Sequence, residues 1–342
     1  MSAQALGWRG GVRSRVARRS LVVCVVLAAL VLGVLVLTLS TGDFVVPLPD
    51  VAAALTGGGS RAMNFIVVSL RLPRALTAIG AGAALGVSGT IFQSITRNPL
   101  GSPDVIGFTE GASAGAVIAL TIGHAGAAGT AIAAVVGGFG TAVVVYLLAF
   151  RGGVQGYRLV LVGVGVSATL LAVVRFLLTR ADLDDAFSTT IWLLGSLNGA
   201  GFAQAAALGV ALAIALPAGF AAARRINVLE MGDDAATALG VRPERARLLA
   251  VGVAVLLAAV ATACTGPVAF VALAAPQLAR RLTRASGIGV APAAVMGALV
   301  LLVSDYVGQH LFSAELPVGA CTGVVGGLYL AWLLARQWKR SG

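Results

Sequence analysis

Between Leu21 and Leu39 the chain reads LVVCVVLAALVLGVLVLTL, an uncharged apolar run that follows five arginines, Arg9 to Arg19. A helix needs about 20 such residues to cross the hydrocarbon core of a bilayer. Inside that core each backbone N–H and C=O must be bonded within the protein, which restricts a spanning chain to helices or closed barrels. A secretory signal is the alternative, but the run is too long and no small-x-small cleavage site follows it. We read it as a retained first helix with its N-terminus in the cytoplasm. Similar runs recur at 75–93, 105–122, 126–150, 158–179, 203–223, 246–264, 268–283, 290–312 and 317–335, which makes ten spans. The third and eighth are short and interrupted by Gly or Pro.

Composition agrees with this reading. Residues are 58% hydrophobic and 11% charged, against about 25% charged in soluble domains. The net charge of +11 suggests nucleic acid, but the arginines fall at the ends of apolar segments and form no binding face. That placement is a topology signal. With both termini in the cytoplasm, only Arg61, Arg71, Arg74, Arg175 and Arg180 of the 24 Lys and Arg remain for the outside or the membrane. The outer loops then receive Asp43, Asp50, Asp182, Asp184, Asp185 and Glu315. The expected fold is all-α and polytopic: a basic tail over 1–20 and one transmembrane domain over 21–342. The excess of Arg over the single Lys339, with abundant Ala, Gly and Val, points to a G+C-rich bacterium, so the location is the bacterial cytoplasmic membrane.

Lipid gives helices no hydrophobic reason to associate, so close approach through small residues takes over. GAGAALGVSG (Gly80–Gly89) and GVVGG (Gly323–Gly327) offer such faces, and Gly195 with Gly199 forms a small-xxx-small pair. Forty-five glycines imply a tight bundle.

Several chemistries have no residues to carry them. Cys24, Cys264 and Cys321 lie unpaired in apolar surroundings, and neither His124 nor His310 has a ligand at metal spacing, so no metal site is expected. No G-x-x-x-x-G-K-[ST] phosphate loop exists, since Lys339 is the sole lysine. Asp104 and Glu110 flank the third span and Asp305 ends the ninth; the spans otherwise carry no acid for an ion relay. A bundle with neither fuel site nor ion relay calls for an external motor. No cofactor of its own is expected.

One polar interruption stands out: RRINVLEMGDDAATALGVRPERAR, from Arg224 to Arg247. Gly232, Asp233 and Asp234 start a short helix and Gly240 stops it, because acids suit the positive end of the helix dipole and Gly suits the position past the last turn. Pro243 starts the next span. Too short to persist alone in water, such a helix is either an ordinary interfacial loop or a peg for a cytoplasmic partner, with Arg224, Arg225, Arg242, Arg245 and Arg247 setting its depth.

Five ordered blocks carry a family resemblance: RLPRALTAIGAGAALGVSGTIFQSITRNPLGSPDVIGFTEGASAGA (Arg71–Ala116), WLLGSLNG (Trp192–Gly199), LEMGDDAATALGV (Leu229–Val241), GPVAFVALAAPQLARRL (Gly266–Leu282) and ELPVGACTGVVGGLYLAWLL (Glu315–Leu334). The chain resembles FecCD/BtuC-type permeases, the membrane subunits of ABC importers for iron–siderophore, haem and cobalamin, and is most similar to the ferric-enterobactin branch. The resemblance implies ten helices, a second permease subunit, in a heterodimer by preference with a homodimer the alternative, two cytoplasmic ATPase subunits that bind the ATP, and an extracytoplasmic siderophore-binding lipoprotein. It implies that Leu229, Glu230, Met231, Gly232, Asp233, Asp234, Ala235, Ala236, Thr237, Ala238, Leu239 and Gly240 couple to the ATPase. It carries the family's docking arginines onto Arg71 and Arg74, and a third onto a position that here holds Gln309, a departure that questions one contact. It places Trp192, Gly195, Ser196 and Asn198 along the path with the fifth span, where Arg175 either lines the path for an anionic chelate or snorkels to the outer interface. The expected function is import of a ferric siderophore, catecholate in type. Haem or cobalamin import by the same machine is the near alternative, and an ion-coupled secondary transporter the distant one.

Overall fold

The computed structural model describes the backbone of residues 4–341 apart from 152, 154, 286 and 312–314, and the side chains of 18–329 and 331 outside those positions. Its regular elements are helices: α1 (Gln4–Ser40), α2 (Leu48–Leu55), α3 (Arg61–Asn64), a π-helical stretch (Phe65–Arg71), α4 (Leu72–Thr96), α5 (Phe108–Thr121), α6 (Ala127–Ala149) and α7 (Gly156–Arg180). They continue with α8 (Leu183–Leu193), α9 (Phe202–Leu229), α10 (Asp233–Ala238), α11 (Pro243–Thr265), α12 (Val271–Thr283), α13 (Val290–His310) and α14 (Val318–Ser341).

Each of the ten expected spans has its helix. Among the described residues, seven helices are long and apolar enough to cross a membrane, the continuous stretch Arg61–Thr96 being one of them. The short third and eighth spans are α5 and α12, with 14 and 13 residues, about 21 and 20 Å long at 1.5 Å per residue. The first helix runs back to Gln4, through most of the segment expected as a tail; residues 1–3 lie outside the described ones.

The chain folds around α4. Ala75, Ala78, Ala81, Ala84, Ile91 and Phe92 on it are fully buried. Its glycines set the packing distance. A Cβ on Gly82 would lie 2.3 Å from the Gly297 carbonyl oxygen of α13, and one on Gly86 would lie 2.2 Å from that of Ala293. The small-residue face expected at Gly80–Gly89 is therefore the seam between α4 and α13. Outside this core, α1, α6, α7 and α9 present Leu32, Ile132, Leu147, Leu161, Val210 and Ile214 outward. An apolar exterior of this kind suits lipid or a neighbouring membrane subunit.

A proline shapes the entry to α4. Pro73 has no N–H to give the preceding turn and its ring crowds that turn's carbonyl. The helix widens ahead of it, so Leu72 N–H bonds five residues back to Val67 O. The widened turn ends at Arg71.

Gly195 and Gly199 overturn one expectation. They form no helix-packing pair, because they lie past the end of α8 with φ of +70° and +72°. Both turn the backbone, and Gly195 also packs so closely that a Cβ would meet Pro267 O at 2.4 Å. The segment they frame lies against the α11–α12 connection: Ser196 N–H donates to Thr265 O (2.9 Å), and Gly319 N–H at the start of α14 donates to Gly195 O (3.1 Å). These bonds satisfy backbone groups that a non-helical segment leaves open.

Candidate functional site

Polar residues gather at the two ends of the bundle. At one end α10 projects between α9 and α11. Gly232 (φ +111°) turns the chain out of α9, and two hydrogen bonds close the far side: Gly240 N–H to Thr237 O and Val241 N–H to Ala236 O, both 2.9 Å. That pair is a Schellman closure, which needs a left-handed residue after the helix; Gly240 supplies it with φ +80°. Buried Ala236 packs with Leu229, Ala246, Val228 and Val241, so the short helix rests on its own protein.

Two arginines hold it further. Arg247 Nη2 lies 2.7 Å from Asp233 Oδ1. Arg97, after the end of α4, donates to Leu229 O at 2.6 Å and lies 4.0 Å from Asp233. Facing away from the protein are Glu230, Asp234, Thr237 and two apolar side chains, Met231 at 70% exposure and Leu239 at 63%. A cleft of about 460 Å³, lined by Thr237, Gly240 and Val241–Arg245, lies beside them. Sequence reading placed the helix limits correctly but missed the roles of Arg97 and Arg247; an Arg in left-handed conformation at a helix end (φ +49° at Arg97) leaves no sequence signal.

At the opposite end, around α2, a cavity of about 580 Å³ is lined by Arg71, Arg74, Gln309, Asp43, Glu315 and Gly199, among others. The structure thus brings all three expected docking residues to one cavity. Neither arginine is idle there. Arg71 donates to Leu39 O (2.9 Å) and Phe44 O (2.7 Å), which ties the π-helical stretch to the end of α1 and the loop after it. Arg74 forks onto Asp305 of α13, from Nε at 3.1 Å and Nη2 at 3.0 Å, and donates through Nη1 to Asn198 Oδ1 at 2.6 Å. Gln309 Nε2 completes the cluster with a 2.7 Å bond to Asp305. Asp305 is 1% exposed and Arg74 17%.

The expected path residues divide. Asn198 joins the Arg74 cluster, and Ser196 supports it by accepting from Asn198 N–H at 3.1 Å. Trp192 packs with Ala112, Ala116, Ala134 and Ala263. Arg175 stands exposed on α7, and the structure does not join it to the others. One turn on, Arg180 lies over the Phe176 ring at 5.5 Å.

A family model matches residues 26–336, nearly the entire chain. The chain belongs to the FecCD transport family. This FecCD chain is 44% identical over 327 residues to the ferric enterobactin transport system permease protein FepG of Escherichia coli (strain K12), covering 95% of the chain and 99% of that protein. It is 39% identical over 337 residues to the achromobactin transport system permease protein CbrC of Dickeya dadantii (strain 3937), with 97% of each covered. It is 34% identical over 292 residues to the hemin transport system permease protein HmuU of Yersinia pestis, covering 82% and 86%. Among solved structures, an inward-facing conformation of a metal-chelate type ABC transporter superposes with a TM-score of 0.83, at 28% identity, over 92% of this chain and 98% of that one. The FecCD chain is a multi-pass cell-membrane protein of helical permease architecture.

Proposed function

We propose that the chain is the permease subunit of an ATP-binding-cassette importer that carries a ferric siderophore of catecholate type into a bacterial cytoplasm. One observation carries this beyond the family: α10, closed by its own hydrogen bonds and stapled by Arg97 and Arg247, projects from the arginine-rich end with Met231 and Leu239 outward. The excess of Arg at that end supports placing it, with both termini, in the cytoplasm. A small stiff helix of this kind moves as one body with a partner, so Leu229–Gly240 is the coupling element for separate ATPase subunits. Those subunits bind the ATP, and this chain needs no cofactor and performs no covalent chemistry.

The end around α2 faces outward and receives the extracytoplasmic binding protein at the cavity of Arg71, Arg74 and Gln309. Trp192, Gly195, Ser196 and Asn198 flank the route, and exposed Arg175 lines it in favour of an anionic chelate. The likeness to the ferric enterobactin permease supports the catecholate cargo and a heterodimer; the likeness to the hemin permease makes haem the rival cargo. Uptake of radioactive iron in a strain lacking this chain tests the cargo. Loss of uptake from a ferric catecholate, with hydroxamate uptake retained, is the expected result. Unchanged uptake of every siderophore tried, with loss of haem uptake, would replace the cargo assignment.

A further inference from the structure

Three arginines at the α10 end stand exposed: Arg151 after α6, and Arg242 and Arg245 at the start of α11. None of them has an ion pair among the described residues. Arg242 and Arg245 line the cleft of about 460 Å³ beside α10, together with Thr237 and Gly240. Glu244 lines it too, and its carboxylate accepts from the Tyr146 hydroxyl of α6. The turn that carries Arg151 comes to the same place. Phe150 stacks on Tyr146 with ring centroids 6.3 Å apart, and a Cβ on Gly153 would lie 3.7 Å from Glu244 Oε2.

Beyond this polar end an apolar groove of about 210 Å³ runs between α6 and α11, lined by Phe139, Val143, Tyr146, Leu248, Gly252 and Val255, among others. Both helices are long and apolar enough to cross a membrane. Val143 and Leu248, at 56% and 52% exposure, leave the groove open on its outer side. From Leu248 to Val255 it extends about 10 Å along the helix. Arg245 precedes Leu248 by three residues and Gly252 by seven, the spacing of one helix face, so Arg245 heads the groove. Gly252 differs from the glycines of the α4–α13 seam: a Cβ there would meet nothing within 4 Å. Its missing side chain leaves groove, not helix contact.

We propose that this is a binding site for an anionic phospholipid, with the headgroup at Arg242, Arg245 and Arg151 and one acyl chain along the α6–α11 groove. Only an amphiphile uses both parts, since the apolar groove runs into an arginine-lined cleft. Three arginines against Glu244 leave two positive charges in excess, which favours a headgroup of net negative charge over a zwitterionic one. Guanidinium forks match phosphate oxygens, and basic pockets between spanning helices hold anionic headgroups. Thr237 and Gly240 place the same cleft against α10, so a bound headgroup braces α10 at the membrane surface. The site rests on the membrane placement and stands apart from the importer reading.

Native mass spectrometry of the delipidated full-length chain tests this, with phosphatidylglycerol and phosphatidylcholine of identical acyl chains as probes. One phosphatidylglycerol should bind about tenfold more tightly than phosphatidylcholine. Arg242→Gln combined with Arg245→Gln should erase that preference. Gly252→Leu, which fills the groove where space is open, should weaken both lipids several-fold. Equal binding of the two lipids by the parent would mark an unselective lipid coat and overturn the proposal. Unaltered binding by Gly252→Leu would do the same for the groove. Inorganic phosphate binding as tightly as phosphatidylglycerol would indicate a plain anion site and overturn the lipid assignment. In nanodiscs of the importer complex, replacing phosphatidylglycerol by phosphatidylcholine should lower ATPase stimulation several-fold in the parent but not in the arginine double variant. Loss of stimulation in that variant with phosphatidylglycerol binding intact would assign the arginines to the ATPase instead. Failure of the importer reading would leave the lipid counts unchanged.

Discussion

Arg74 and Asp305 are 231 residues apart in sequence and bonded in the fold. Each was visible in the sequence, Arg74 as a docking cation and Asp305 as the acid that ends the ninth span, but nothing local announces that they meet. Buried pairs add little net stability against an apolar replacement, yet removing one partner strands the other charge. Asp305→Ala should therefore cost about 3–5 kcal/mol, read as a lowered unfolding temperature of the detergent-solubilised protein. Adding Arg74→Leu should recover a large part of that loss, since no charge is then left alone. Equal melting of Asp305→Ala and the parent would show that the pair is not the buried clamp described here. Gly195 and Gly199 carry a related lesson. Spacing alone suggested helix packing, whereas their positive φ angles make them turn residues, and φ cannot be read from spacing.

Among the elements, α10 was the most legible and its supports the least. Gly232, the two aspartates and Gly240 are local signals with local causes, so its limits followed from capping rules. Its stapling by Arg97 and Arg247 depends on where α4 and α11 end in space. The same contrast holds for the spans: hydropathy located ten, but α2, α8 and the π-helical stretch gave no comparable signal. Two are short helices and the third is a widened turn caused by Pro73. Gly240→Val tests the α10 account. A β-branched residue at φ +80° costs about 1–2 kcal/mol of local strain, enough to open the Schellman closure without unfolding the bundle. We expect normal membrane insertion and a several-fold drop in ATPase stimulation by the loaded binding protein. Full stimulation would show that α10 does not need to be rigid.

At the scale of the whole molecule, charge and packing divide the labour. Arginines concentrate at the α10 end while carboxylates divide between the two ends, and the interior between them is built of Ala, Gly and Val with α4 at its centre. Such a bundle has shape and two different ends, but the sequence supplies no phosphate loop and no chain of intramembrane acids. On the importer reading proposed above, its work comes from a partner gripping the α10 end. Reconstitution into proteoliposomes tests this most directly, with uptake of a ferric catecholate followed against its gradient. Uptake that requires the permease pair, the binding protein and an ATPase with an intact phosphate loop, and that stops when ATP is withheld, is the predicted result. Concentrative uptake by this chain in vesicles without any ATPase would contradict the account.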